Sequence, residues 1–208
     1  PETLVSNLTY PLGIAVDPAN GYVYWTDYLD WKIQRANLDG SNVITVTSAV
    51  KEPRWIDIDE INGVAYFVES AENEASTLES KIRRLLLDGS GIVQDVYVGL
   101  NGIGFNDWEF YPFVGGIAVD GEHGRVYWTD HQHGFRLSRL RSVNIDGTDV
   151  KTTVRQSYAW NGLAYDRNAF RLTMGAGTTI DFSPPNSLPP YMLSLIHISE
   201  PTRLRRIS

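Results

Sequence analysis

Two stretches of this chain read almost alike: GIAVDPANGYVYWTD from Gly13 to Asp27, and GIAVDGEHGRVYWTD from Gly116 to Asp130. They are equal in length and agree at eleven of fifteen positions. Self-similarity at a fixed spacing marks a repeat architecture and has to be settled before local structure is read. Working outward, PLGIAVD at Pro11 to Asp17 returns 42 residues later as PRWIDID at Pro53 to Asp59, with Tyr66-Phe67-Val68-Glu69 in the YWTD place. The second full copy lies 103 residues from the first, and NGLAYD, Asn161 to Asp166, falls in a frame 149 residues on. Four copies therefore run along the chain.

Each copy is punctuated in the same way. A short apolar stretch (GIAVD, WIDID, GIAVD, GLAYD) is followed by a turn ending at Gly21, Gly63 or Gly124. Glycine accepts the positive φ that closes such turns. A second strand follows (YVYWTD, VAYFVE, RVYWTD), then a third that stops at Asp39-Gly40, Asp88-Gly89 and Asp146-Gly147. Asp-Gly between apolar runs is a strong hairpin signal. A fourth strand (VITV, IVQDVYV, VKTTV) closes the unit. Each copy thus reads as a four-stranded antiparallel meander. Such a unit cannot bury both faces alone and must stack on its neighbours. Sheets of this kind stacked through aromatic residues predict β-propeller blades.

The combined pattern, GIAVD-x-x-x-G, YWTD and K-I-x-R-A-N-L-D-G-S in register, resembles the YWTD repeat, the low-density-lipoprotein-receptor class B repeat. Copies one and three match strongly, copy two matches in frame, and copy four matches only at NGLAYDRN, its next strand reading FRLTM. The resemblance covers about residues 9 to 172. It implies an all-β, incomplete six-bladed propeller with three and a half to four blades present, at about 9–50, 51–99, 113–155 and, in part, 156–172. It further implies an extracellular receptor or matrix setting, EGF-like flanks, protein ligands and no catalysis or cofactor. The motif residues Tyr24, Trp25, Thr26, Asp27, Tyr66, Phe67, Glu69, Tyr127, Trp128, Thr129 and Asp130 are implied to be structural. Trp25 and Trp128 would pack between blades. Asp27 and Asp130 would accept backbone hydrogen bonds that tie blade to blade, and Glu69, one methylene longer, makes the same bonds less assured.

Composition bounds the alternatives. Over 208 residues the chain is 42% hydrophobic and 21% charged, with no cysteine and a formal charge of −7. This leaves no disulfide framework or thiolate metal site. The acidic balance opposes nucleic-acid binding and suits basic partners or simple solubility. No apolar run approaches the roughly 18 residues of a membrane span. The chain opens at Pro1, so its natural amino terminus is expected upstream.

Insertions mark candidate binding loops, because loops carry function while strands carry scaffold. SAENEASTLES, Ser70 to Ser80, is a seven-residue excess in copy two holding Glu72, Glu74 and Glu79. It reads as an acidic loop, either simply solvated or a binding site. NGIGFNDWEFYP, Asn101 to Pro112, carries Trp108, Phe110 and Tyr111, which suit a binding hot spot or packing on a neighbouring blade. HQHGFRLSR contains His131 and His133, with His123 and Glu122 near in sequence. These residues suit a metal site, a pH sensor or an exposed polar loop. Asn7-Leu8-Thr9 is a glycosylation sequon.

The rival class is a calcium-dependent lactonase-like or esterase-like propeller enzyme. It needs polar ligands on the innermost strands, where only Asp57 and Asn161 break the apolar runs. No nucleophile elbow, zinc motif or phosphate loop is visible. A YWTD protein without receptor context is a further alternative. Residues 173–192 are rich in Pro and Gly, which argues against a central strand there. Leu193 to Arg203, LSLIHISEPTR, matches no part of the repeat and resembles the in-frame translation of a sequencing adapter, so 193–208 are read as foreign to the fold. Without them the chain loses three arginines and one glutamate, and the charge becomes −9.

Overall fold

Local chemistry fixes the turns first. The aspartate that ends each inner strand caps its own hairpin. Asn20 N and Nδ2 donate to Asp17 at 3.1 and 2.9 Å, and Asn62 N and Nδ2 donate to Asp59 at 3.1 and 2.7 Å. Both aspartates are buried. In the outer turns Ser41 N, Ser90 N and Thr148 N each donate to Asp39, Asp88 and Asp146 at 2.9 Å. Gly40, Gly89 and Gly147 sit between at φ 81°, 87° and 86°, a region that side chains resist.

The computed structural model describes residues 3–72, 78–98, 113–132, 137–156, 163–166, 171–174, 178–181 and 197–199. Blade 1 comprises β1 (Pro11–Asp17), β2 (Tyr22–Asp27), β3 (Lys32–Asn37) and β4 (Ile44–Thr47). Blade 2 comprises β5 (Pro53–Asp59), β6 (Val64–Glu72), β7 (Leu78–Leu86) and β8 (Val93–Val98). Blade 3 comprises β9 (Phe113–Asp120), β10 (Arg125–Gln132), β11 (Leu137–Asn144) and β12 (Lys151–Gln156). A fourth sheet holds β13 (Leu163–Asp166), β14 (Arg171–Met174), β15 (Thr178–Asp181) and β16 (His197–Ser199). All four are antiparallel meanders in sequence order. The register slips at one place in the innermost pair of each of the first three blades: Pro11/Ile14, Pro53/Ile56 and Thr129/Asp130. A bulge repeated in register is a built feature that adds twist.

The blades stack in chain order, β1 beside β5, β5 beside β9 and β9 beside β13. Ala15, Tyr24 and Ile33 of blade 1 meet Ile56, Ile58 and Phe67 of blade 2 in one core. Tyr66, Val68 and Ile82 of blade 2 meet Ile117, Val119 and Trp128 of blade 3 in the next. Ala118, Tyr127 and Leu140 of blade 3 meet Leu172 of the fourth sheet, flanked by Leu163 and Tyr165. From the second sheet onward, one face is thus the seat of the sheet before it.

Two expectations change. The acidic insertion is not a loop throughout: β6 and β7 continue past the repeat, pairing Ser70 with Ser80, Ala71 with Glu79 and Glu72 with Leu78. A hairpin lengthens by adding cross-strand pairs without disturbing the core. β15 is an interior strand within 173–192, since Pro184, Pro185, Pro189 and Pro190 all follow it and none interrupts its ladder. His197–Ser199, within the adapter-like segment, pairs with β15 as an edge strand. Three extended residues suffice for that and need no repeat signature.

Candidate interaction surface

The motif residues act at the joints between blades. Trp128 is fully buried in the core between blades 2 and 3, 5.5 Å from the Tyr97 ring, with Arg141 above it at 5.1 Å. Trp25 is buried on the other face of blade 1, against Leu4, Val5 and Leu8. Thr26 makes the bond between sheets. Its hydroxyl accepts from Gly13 N at 2.9 Å and donates to the Arg54 carbonyl of blade 2. A Cβ on Gly13 would lie 2.4 Å from that carbonyl, so glycine is required. Blade 2 has Trp55 and Val68 at the places of Gly13 and Thr26. There the indole takes over: Trp55 Nε1 donates to the Val114 carbonyl of blade 3 at 2.6 Å.

Asp27 differs from the blade-to-blade role implied for it. It is fully buried and accepts from Thr9 N and Tyr10 N, both at 3.2 Å, and Asp30 N at 3.3 Å. It thereby holds the segment that enters its own blade. Glu69 does the same for the passage from β4 to β5, accepting Lys51 N at 3.0 Å, and its extra length admits Arg83 at 2.8 Å. The backbone of Asp130 pairs with Val114 and Arg139; its side chain, like that of His131, lies outside the described residues.

The two polar inner-strand positions part company. Asp57 Oδ1 accepts Ile58 N at 2.9 Å and Oδ2 accepts Val119 N of blade 3 at 2.8 Å. Its carboxylate therefore braces two inner strands. Asn161 lies outside the described residues. His123 stands where Asn20 and Asn62 stand in the first two copies and does their work. Its backbone N–H donates to Asp120 at 3.1 Å and its ring Nδ1 lies 2.8 Å from the second oxygen. Asp120 also receives the Tyr165 hydroxyl from the fourth sheet. Burial, and then that bond, raise the Tyr165 phenol. Burial, followed by the Asp120 charge, pushes Tyr127 up to about 12. Among the described residues no group of three or more His, Asp or Glu is placed to hold a metal ion. His133, Glu74, Trp108, Phe110 and Tyr111 lie outside the described residues, and of Glu72 and Glu79 only the backbone is described.

The meander separates two ends of the molecule. At one end lie the β1–β2 and β3–β4 turns and their equivalents, with exposed apolar residues that recur in register: Val43, Ile92 and Val150. At the other end lie the β2–β3 connections and the passages between blades. All three sequence insertions begin and return there. On this end blade 1 shows Tyr10, Leu29 and Trp31, at 50, 58 and 47% exposure. The Tyr10 and Tyr28 rings lie 5.8 Å apart. Arg54 covers Tyr28 at 5.0 Å, and the Tyr28 hydroxyl donates to Glu52 at 3.1 Å. Asp30 accepts from Lys32 Nζ at 2.7 Å and from Thr9 Oγ1 at 2.8 Å; these bonds, Lys32 first, hold its carboxyl below the ordinary range. Trp31 has φ 53° and Glu52 φ 43°, in the left-handed region that bulky residues avoid. Sequence reasoning weighed only the longer insertions and missed this patch, whose signal was the YLDW turn itself. Asn7 of the sequon is exposed beside it, at φ 62°.

No protein-family model matches the chain. In sequence it is similar to protein cueball of Drosophila willistoni, 28% identical over 170 residues, covering 77% of this chain and 23% of cueball. It is also similar to the human low-density lipoprotein receptor-related protein 5-like protein, 27% identical over 163 residues, covering 76% of this chain and 56% of that protein. The chain thus spans from a quarter to about half the length of these relatives. In structure it is similar to a chain of the nidogen/laminin complex, with a TM-score of 0.64 and 22% identity, covering 92% of this chain and 65% of that one. A putative gluconolactonase is a more distant likeness in fold, at a TM-score of 0.58 and 12% identity, covering 88% of this chain and 63% of that one. The molecule is an all-β propeller segment built from consecutive four-stranded blades. Its repeats resemble the YWTD, low-density-lipoprotein-receptor class B, type.

Proposed function

We propose that this chain is the protein-binding module of a larger extracellular receptor or matrix protein, non-catalytic, with neighbouring EGF-like modules. Its partner docks on the end opposite the Asx turns. The observation that carries this reading is the asymmetry of the two ends. One carries turns that repeat in register. The other carries every insertion together with Tyr10, Leu29 and a Trp31 held in a strained backbone. Aromatic residues in such settings dominate binding energy, and strain of this kind gathers at functional sites. The likeness to a propeller crystallised with laminin makes laminin the first partner to try. In this reading the sequon at Asn7 is glycosylated, at the edge of the same end.

The rival reading, a lactonase-like enzyme, is supported by fold likeness alone. Asp57 already braces two backbone amides, and Ala15, Ala118 and Ala164 stand at the same inner-strand position, so the described inner strands offer no ring of carboxylates. The test is binding of the immobilised chain to purified laminin and a panel of secreted matrix proteins. Trp31→Ala should weaken the bound partner by about tenfold or more, as hot-spot residues do. Ile61→Ala, an exposed residue on the turn end, should leave it unchanged. Equal loss with both variants, or hydrolysis of a lactone by the wild-type chain, would overturn this reading.

A further inference from the structure

The inner turns of blades 1 and 2 each place an asparagine directly before a glycine, at Asn20-Gly21 and Asn62-Gly63. The other asparagines among the described residues, Asn7, Asn37, Asn42 and Asn144, are each followed by leucine, valine or isoleucine. The difference is chemical. A backbone nitrogen attacks the side-chain carbonyl carbon of the asparagine before it and closes a five-membered imide. A branched side chain on the attacking residue blocks that approach, whereas glycine, with no Cβ, leaves it free. Both asparagines are exposed, and nothing lies within 4 Å of where a Cβ would sit on Gly21 or Gly63. In the third copy His123 precedes Gly124 and has no amide to lose.

The fold opposes the reaction by holding the amide elsewhere. Asn20 Nδ2 donates to Asp17 at 2.9 Å, so its carbonyl carbon reaches the Gly21 nitrogen only when that bond opens. Asn62 is held more firmly. Its Nδ2 donates to Asp59 at 2.7 Å and lies 3.5 Å from the Gly121 carbonyl of blade 3. Asp59 also accepts Ile61 N at 3.1 Å, and the blade 3 backbone is seated against its carboxylate, since a Cβ on Gly121 would lie 2.0 Å from Asp59 Oδ1. The strands that lead into the two turns differ in the same sense. β1 lies on the open face of blade 1, with Ile14 and Val16 at 70 and 49% exposure, whereas blade 2 buries the equivalent Ile56 and Ile58. A hairpin with less cover opens more often.

We propose that Asn20 is a site of spontaneous deamidation in the folded protein, and that Asn62, the same dipeptide in the same turn, is shielded by blade 3. The Gly21 nitrogen bonds to the Asn20 side-chain carbon and gives up its proton, and the amide group leaves as ammonia. Water then opens the imide at either carbonyl, leaving aspartate or isoaspartate at position 20. Both products lack the donor that Asp17 uses, and both set a second carboxylate beside one that is buried. Two carboxylates in contact do not both ionise without cost, so the β1–β2 hairpin loosens. The test is incubation of the whole chain at mildly alkaline pH, with peptide mapping by mass spectrometry to follow the change from amide to acid at each asparagine. In the folded protein Asn20 should convert at least about fivefold faster than Asn62, as the loss of one further hydrogen bond allows. In concentrated urea the two should convert at similar rates. Asn20→His, which carries the residue blade 3 has at that place, should leave position 20 unmodified. Asn20→Asp should speed hydrogen exchange of the β1 and β2 amides and spare those of blade 3. Equal rates at Asn20 and Asn62 in the folded protein, or the same ratio persisting in urea, would overturn the proposal. Exchange in Asn20→Asp that matches wild type would overturn the loosening.

Discussion

Thr26 and Trp55 show one mechanical problem solved twice. Each blade must bond to the next where the inner strand bulges. Blade 1 does it with a hydroxyl between Gly13 N and the Arg54 carbonyl, and blade 2, which has Val68 in place of threonine, does it with an indole N–H on the Val114 carbonyl. Thr26→Val removes the bridge and leaves a buried N–H and carbonyl unpaired, which costs about 1–3 kcal/mol. Trp55→Phe should cost about 1 kcal/mol, the net worth of an ordinary hydrogen bond. Urea unfolding of the two variants measures both, and a Thr26→Val midpoint equal to wild type would show that the joint does not matter. The YWTD motif was legible as scaffold from its repetition. The division of labour within it was not, because it depends on which blade's backbone lies opposite each side chain.

At the scale of the turn, the first three copies keep one design while changing residues. Asn20, Asn62 and His123 each give two donors to a buried aspartate. The sequence alone offered His123 as a metal or pH site. Its turn position explains it better, and the repeat alignment already held that information. His123→Asn should therefore be neutral within about 0.5 kcal/mol, and zinc should not shift the melting temperature of either protein. A zinc-dependent shift lost in the variant would restore the metal reading. The outer turns respond to acid in a defined direction. Bonds from the Ser41, Ser90 and Thr148 hydroxyls, then from their backbone N–H groups, lower the Asp39, Asp88 and Asp146 carboxyls. A lowered carboxyl adds stability that is complete above its unfolded value, about 3.9, and is lost as pH falls through the folded value. Carboxyl carbon shifts should accordingly titrate below that value in all three, and Ser41→Ala should return Asp39 towards it.

At the scale of the molecule, the fold was legible because spacing, turn residues and aromatic strands all repeat. The fourth sheet was legible only to its second strand, since beyond Met174 no repeat residue survives to guide the eye. The interaction end was half legible: insertions stand out in an alignment, whereas a patch made of Tyr10, Leu29 and Trp31 exists only once two connections lie side by side. That patch, the open face of blade 1 and the joints all depend on consecutive blades stacking in order. The amide of Val119 reports this most directly. It sits on the innermost strand of blade 3 and donates to Asp57 of blade 2, across the boundary. Native-state hydrogen exchange of Val119 should be slow in the wild-type chain and fast in Asp57→Ala. The replacement is the residue that blades 1 and 3 already carry at that position, so amides within blade 3's own ladder should keep their rates. Unchanged exchange at Val119 in the variant would contradict the stacking of the blades.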